Sequence, residues 1–206
     1  MNFFEMLHGG YVHKRRVSVL SESCANLMPR DASVLDVGSG DGQLARLVGD
    51  KRPDISIQGI DVLLRKDSAI PVEEFDGTTI PYCERSFDVV MFIDVLHHTD
   101  DPMVLLREAV RVARQIILIK DHTLQGALAH STLRFMDWLG NARHNVPLPY
   151  NYWTPAQWHG AFEKLGLTVG SWESNLKLYP LPADLVFGRS LHFIAALRVP
   201  RQGGGD

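Results

Sequence analysis

Apolar residues Val17, Leu20, Cys24, Leu27 and Met28 recur at intervals of three to four positions before Pro29, which predicts an amphipathic helix over about residues 14 to 28. Lys14, Arg15 and Arg16 at its start read as a solvated basic face. The pattern then changes to short, Val- and Ile-rich runs: SVLDVG (33–38), ISIQGID (55–61), FDVVMFID (87–94) and QIILIKD (115–121). Each is too short for a typical helix and is flanked by helical stretches such as GQLARLVGD and PMVLLREAVRVA. Continuous apolar runs alternating with amphipathic helices are the signature of a parallel sheet buried on both faces, so the fold class is α/β.

Near the end of the chain, GLTVGSWES (166–174) and RSLHFIAALRV (189–199) read as two strands without a crossover helix between them, and they can therefore pair antiparallel. The helix before them starts at Thr154 as N-cap, with Pro155 in its first position. Residues 200–206, PRQGGGD, are expected to be disordered.

Composition narrows the function classes. A 206-residue chain with 45% hydrophobic residues and 22% charged residues suits one globular domain, here residues 1–199. A net charge of -3 offers no broad basic surface, so no nucleic-acid partner is expected. Two cysteines make neither a disulfide framework nor a metal cluster. The N-terminus places its apolar residues before its basic ones, the reverse of a secretory signal, and no long apolar run occurs, so a cytoplasmic protein without integral membrane association is expected.

In an open α/β sheet, ligands lie beyond the carboxyl ends of the strands, where strand order reverses. Gly38, Gly40 and Gly42 follow the first strand directly, with Ser39 and Asp41 between them, and the next helix begins near Gln43. The spacing G-x-G-x-G brings the third glycine one residue earlier than in the dinucleotide fingerprint, which accommodates a nucleoside better than a pyrophosphate. Asp61 closes the second strand, where a carboxylate can accept both hydroxyls of a ribose, and Val62 follows it.

VLDVGSGDG, GID ending at Asp61, and FDGTTIPYCERSFDVVMFIDVLHHTDDP resemble the successive motifs of class I S-adenosylmethionine-dependent methyltransferases over about residues 30 to 120, with a continuation to 199. The resemblance implies a Rossmann-like, doubly wound, seven-stranded and mostly parallel sheet with an antiparallel last strand and a helical insertion after strand 5. It further implies that Asp36 and the Gly38–Gly42 loop hold the methionine portion, Asp61 the ribose, and Asp76 with Gly77 the adenine end. The cofactor would be S-adenosylmethionine and the product S-adenosylhomocysteine. The donor's chemistry agrees: its ammonium group needs a carboxylate, and its own carboxylate needs backbone N–H groups at a helix start.

Asp94, His97 and His98 lie at the fourth strand end, and Lys120, Asp121 and His122 at the fifth, where donor and acceptor should meet. Displacement at a sulfonium gains much of its rate from positioning, and a base helps only some acceptors. His98 is the first candidate base and His122 the second, with Asp94 beside them; His97 and His98 are read as opening the helix that contains residues 102–112. Asp94, His98, Asp121 and His122 also have the right chemistry for a metal, but their spacing matches no compact signature, and no metal is expected.

Residues 122–153 are longer than a strand-to-helix connection needs and read as a substrate-side insertion, with a helix over about 123 to 139. Lys120, Arg143, His144 and Tyr152 are candidate substrate contacts, joined by Tyr11 and His13 from an N-terminal cap of residues 1–30. The leading reading is methyl transfer to a small-molecule or lipid-like acceptor. A non-catalytic S-adenosylmethionine binder acting with a partner, and an NAD(P)-dependent oxidoreductase, are the alternatives.

Overall fold

The computed structural model describes residues 3–141 and 149–200. Helix α1 spans Phe3–Leu27 and so starts well before the basic triplet. Leu20, Cys24 and Ala25 on one of its faces, and Met28 just beyond it, are buried. Its carboxyl end is closed from outside: the Arg52 guanidinium donates to the carbonyls of Ala25 (2.7 Å), Met28 (3.0 Å) and Pro29 (2.7 Å), oxygens that a terminating helix leaves without partners.

The sheet has seven strands: β1 (Ser33–Val37), β2 (Ser56–Asp61), β3 (Val72–Glu74), β4 (Phe87–Ile93), β5 (Ala113–His122), β6 (Thr168–Glu173) and β7 (His192–Arg198). Their spatial order is β3-β2-β1-β4-β5-β7-β6. Six run in one direction, and β7 is antiparallel to both of its neighbours. The order reverses between β1 and β4, so a crevice for ligand opens beyond their carboxyl ends. β3, with the sequence VEE and a largely exposed edge position, lacks the apolar pattern that betrays the other strands.

Alternate residues of each strand supply two cores. Val90 and Phe92 of β4 face a layer built by α3 (Pro102–Val112) and α5 (Pro155–Lys164), through Leu105, Leu106, Trp158 and Phe162. Val89 and Met91 face the opposite layer of α1 and α2 (Gln43–Lys51), through Leu20, Cys24, Ala45 and Val48. Each of the Val, Leu, Met and Phe side chains among these contributes roughly 1.5–3 kcal/mol relative to exposure. The buried Cys24 thiol is pushed up to about 12, chiefly by desolvation and next by Asp36, whereas Cys83 is exposed.

Local chemistry explains the helix starts. Thr154 caps α5 in a capping box with Gln157, with Pro155 in the first turn, as the sequence predicts. Asp101 caps α3 through the Met103 N–H (2.9 Å). The helix expected from His97 onward therefore begins at Pro102 instead, and Leu96–His98 form a separate 3-10 turn. Helix α4 covers Ala129–Asn141 rather than 123–139, because β5 runs to His122 and a loop through Gly126 follows it. A short α6 (Asp184–Phe187) precedes β7. The expected disorder of residues 201–206 lies outside the described residues. Among the described residues, no helix is long and apolar enough to cross a membrane.

The glycine loop is fastened to β2. Gly38 and Ser39 both donate to the Ile60 carbonyl, at 2.8 and 3.2 Å, and a Cβ added at Gly59 would lie 2.7 Å from the Ser39 Cβ and closer still to its Oγ. Gly59→Ala should cost about 1–3 kcal/mol through overpacking. Denaturant unfolding should show that loss, and Ser39→Gly in the same chain should recover part of it, as two residues in contact require.

Candidate functional site

Three glycines at alternate positions serve two purposes. All have positive φ: +75° at Gly38, +60° at Gly40 and +69° at Gly42. A Cβ at Gly38 would strike Val95 at 2.6 Å, and one at Gly42 would strike Ile70 at 2.7 Å, so these two permit close packing. At Gly40 the space is open except for the tip of Arg65, 3.7 Å away. Gly40 is thus where the loop backbone can approach a ligand.

Asp61, at the next strand end, accepts from the Gly40 N–H (2.8 Å, Oδ2) and the Leu63 N–H (2.9 Å, Oδ1). One bond on each oxygen leaves lone pairs for two further donors. Val62, Leu63 and Leu64 follow with 50–58% exposure, an apolar ledge beside that carboxylate. Gly77 packs under Val62: a Cβ there would meet the Val62 Cγ1 at 3.0 Å. Asp76 forms the turn that holds it, its Oδ1 accepting from the N–H groups of Thr78 (2.7 Å) and Thr79 (2.6 Å), and these bonds draw its pKa below the ordinary value.

Asp36 lies beneath the loop, 3% exposed, and burial followed by the charge of Asp61 pushes its carboxyl up to about 7. This carboxyl costs the fold stability when ionised. Its contribution is most favourable below the unfolded-state value and is lost as pH rises through about 7.

A second group of side chains fills the ends of β4 and β5. Asp94 sits in the left-handed region at φ +58°, uncommon for a non-glycine residue, and its N–H donates to the Lys120 carbonyl at 2.8 Å. Its carboxylate is ion-paired with Arg16 of α1 and with Lys120. Burial alone would raise the Asp94 pKa, but Arg16 and then Lys120 outweigh it and hold the group well below its ordinary range. Lys120 is fully buried, and its ammonium also lies 3.3 Å from the His192 Nδ1. Its pKa is lowered, by desolvation first, against the attraction of Asp94.

Next to this pair, Asp121 accepts from the Leu96 N–H (2.9 Å) and the His122 N–H (2.7 Å), and its Oδ1 lies 2.6 Å from the His97 Nδ1. The Nδ1 atoms of His97 and His122 are 3.2 Å apart. Burial disfavours the His97 cation, but Asp121 outweighs it and raises the pKa of His97. His122 is lowered by burial and then by His97; His98 falls to about 4 for the same two reasons. The buried Nδ1 of His98 has no hydrogen-bond partner among the described residues. Asp137 of α4 accepts from the Tyr152 hydroxyl and lies 3.6 Å from the His97 Nε2 and 4.0 Å from the His122 Nε2.

The structure joins the Gly38–Gly42 loop to Asp61 through the Gly40 N–H and packs Gly77 under Val62, and it brings Asp94, Lys120 and His122 into one cluster. Lys120 and Tyr152 are turned to protein partners, Asp94 and Asp137, rather than toward open space. Arg143 and His144 lie outside the described residues, as do the side chains of Tyr11 and His13. Arg16 is not part of a solvated basic face but one of the site's charges, and Arg15 donates to the Lys177 carbonyl at 3.3 Å. Sequence reasoning did not pick out Arg16, Asp137, Tyr179 or His192, because helix packing and the antiparallel register of β7 bring them in. That register, pairing His122 with His192, becomes apparent only once β5 and β7 are known to be neighbours.

A cavity of about 410 Å³ adjoins this cluster through Tyr179, whose hydroxyl lies 3.5 Å from the His192 Nε2. Arg15, Lys177, Pro180, Leu181 and Asp184 complete its lining.

Residues 11–171 match a family described as a methyltransferase domain. A 27-O-demethylrifamycin SV methyltransferase from Amycolatopsis mediterranei is 28% identical over 131 residues, an alignment covering 53% of this chain and 48% of that protein. The chain thus matches about half the length of this curated relative. Among solved structures, the Haloferax volcanii complex between the Trm112 methyltransferase activator and a candidate methyltransferase is similar at a TM-score of 0.67 and 16% identity, covering 96% of this chain and 97% of that one. A SAM-dependent methyltransferase from Aquifex aeolicus is similar at a TM-score of 0.56 and 18% identity, covering 88% and 89%. At these identities the structures establish the fold.

Asp36→Asn should stabilise the ligand-free protein at pH 8 by a few kcal/mol, following from a shift of this size in a buried carboxyl. The advantage should vanish as pH falls below about 4, where the parent carboxyl is neutral in both states. Urea denaturation of both proteins across that range measures it.

Proposed function

We propose, from the premise that this chain belongs to the methyltransferase-domain family, that it binds S-adenosylmethionine in the β1–β2 crevice and transfers its methyl group to a small-molecule acceptor. The observation that carries the reading is the open space at Gly40 with the Asp61 carboxylate at the adjoining strand end. A ribose fits there, because Asp61 keeps a free lone pair on each oxygen. Asp36 would answer the ammonium group, and the N–H groups opening α2 the carboxylate, with Ser39 and Asp41 completing the loop. The ledge at Val62 and the Asp76–Gly77 turn would take the adenine. The spacing of the loop supports the nucleoside reading over an oxidoreductase.

When bound, S-adenosylmethionine supplies a methyl group already activated on a sulfonium. The chain's own contribution is then to place the acceptor, for which alignment within about 3 to 3.5 Å matters most. The cavity of about 410 Å³ suits a small molecule, with Leu181 and Pro180 for apolar contact and Arg15, Lys177 and Asp184 for orientation. The Asp94 carboxylate keeps 20% of its side chain accessible. His98, held neutral by burial, is the acceptor of a proton from a hydroxyl substrate; His122, more deeply buried, positions Asp94 and His97 rather than touching substrate.

Calorimetry with S-adenosylmethionine, S-adenosylhomocysteine and NADH tests the first step. Micromolar binding of the first two is expected, weakened at least tenfold by Asp61→Ala and by Gly40→Ala; binding of NADH alone would replace this reading with a redox one. Once an acceptor is found, His98→Ala should lower turnover while leaving cofactor affinity intact. With its proton affinity centred at about 4, the free enzyme's rate should stay level between about pH 6 and 8. Turnover equal to the parent's would dismiss His98.

A further inference from the structure

We propose that Asp94, His97, Asp121 and His122 form a binding site for a divalent cation, of which zinc fits best. One ligand atom from each lies within 4.8 Å of every other, and three of the four residues are buried. Metal bonds of about 2.0–2.1 Å in a tetrahedron place neighbouring ligand atoms roughly 3.3 Å apart. The separations here bracket that length: 3.2 Å between the two Nδ1 atoms, 2.6 and 3.7 Å from these to the Asp121 Oδ1, and 3.9 Å from the His122 Nδ1 to the Asp94 Oδ1. Imidazole and carboxylate are ligands that zinc accepts. The sequence offers His98 as the histidine of this group by its ligand type, but the 3-10 turn directs the neighbouring His97 into it.

The surroundings are those that a metal site requires. Asp137 stands at the Nε2 side of both imidazoles, at 3.6 and 4.0 Å, where it answers an Nε2 proton, so that a cation displacing the proton between the His97 Nδ1 and Asp121 would meet both Nδ1 atoms. Asp121 is oriented by the N–H groups of Leu96 and His122 before any metal arrives. His97, Asp121 and His122 are the firm ligands. Asp94, shared with Arg16 and Lys120, closes the fourth position, and a closed four-ligand site is structural. It would tie the end of β5 to the turn after β4, independently of whether the crevice holds S-adenosylmethionine.

The test is zinc alone, added to full-length protein stripped with a chelator. One zinc per chain is expected by calorimetry, together with a rise of several degrees in melting temperature. His97→Ala and His122→Ala, if folded by circular dichroism, should each bind zinc at least tenfold more weakly, and Asp137→Asn roughly 10- to 100-fold more weakly as an outer partner. His130→Ala and His159→Ala, which change exposed histidines, should bind as the parent does. Should the ligand variants not fold, cobalt added to the parent decides: intense visible bands of a four-coordinate nitrogen and oxygen site support the proposal. No stoichiometric zinc uptake, uptake unaltered in folded ligand variants, or only the weak bands of six-coordinate cobalt would overturn it. Because no methyl donor is present, failure here leaves the methyltransferase reading standing, and failure to bind S-adenosylmethionine leaves this one standing.

Discussion

Asp94 is the residue on which the rest of the site depends. Its backbone turns into the left-handed region directly after β4, which a short polar side chain tolerates better than a bulky one. The turn aims a carboxylate between Arg16 and Lys120, from two elements far apart in sequence. A fully buried lysine is tolerable only where its charge is answered, so Asp94 is what permits Lys120 inside the protein. Lys120 then sets the surroundings of His192, and the neighbouring Asp121 fixes His97 and His122. Removing the Asp94 carboxylate would leave a buried cation unpaired, so the arrangement forms as a unit or not at all.

The two halves of the site were unequally legible. The glycine loop, Asp61 and the Asp76–Gly77 turn are local: each sits within a few residues of a strand end, and most strand ends announce themselves through apolar runs. The cluster is different. Arg16 reaches Asp94 across 78 positions and His192 meets Lys120 across 72, distances bridged only by packing α1 on the sheet and setting β7 antiparallel to β5. Of the adjacent histidines, the one singled out from sequence was His98. The 3-10 turn buries His97 against Asp121, a choice of side that leaves no trace in composition.

β3 and α4 show the same limit. VEE has no apolar periodicity and is a strand because β2 offers it an edge, while the start of α4 is delayed by the extra length of β5. Where an element is specified by its own pattern, as with α5 and the central strands, sequence and structure agree to within a residue or two.

The two thiols give the molecule a built-in contrast. Cys24 is sealed between α1 and the sheet and scarcely ionises, while Cys83 lies exposed in the loop leading into β4, at the end of the sheet opposite the crevice. A thiol reagent added to the native protein therefore modifies one position at once. The second modification must wait for α1 to lift away. Since that helix also carries Arg16, the slow labelling rate becomes a clock for how often the site loses one of its charges to thermal opening.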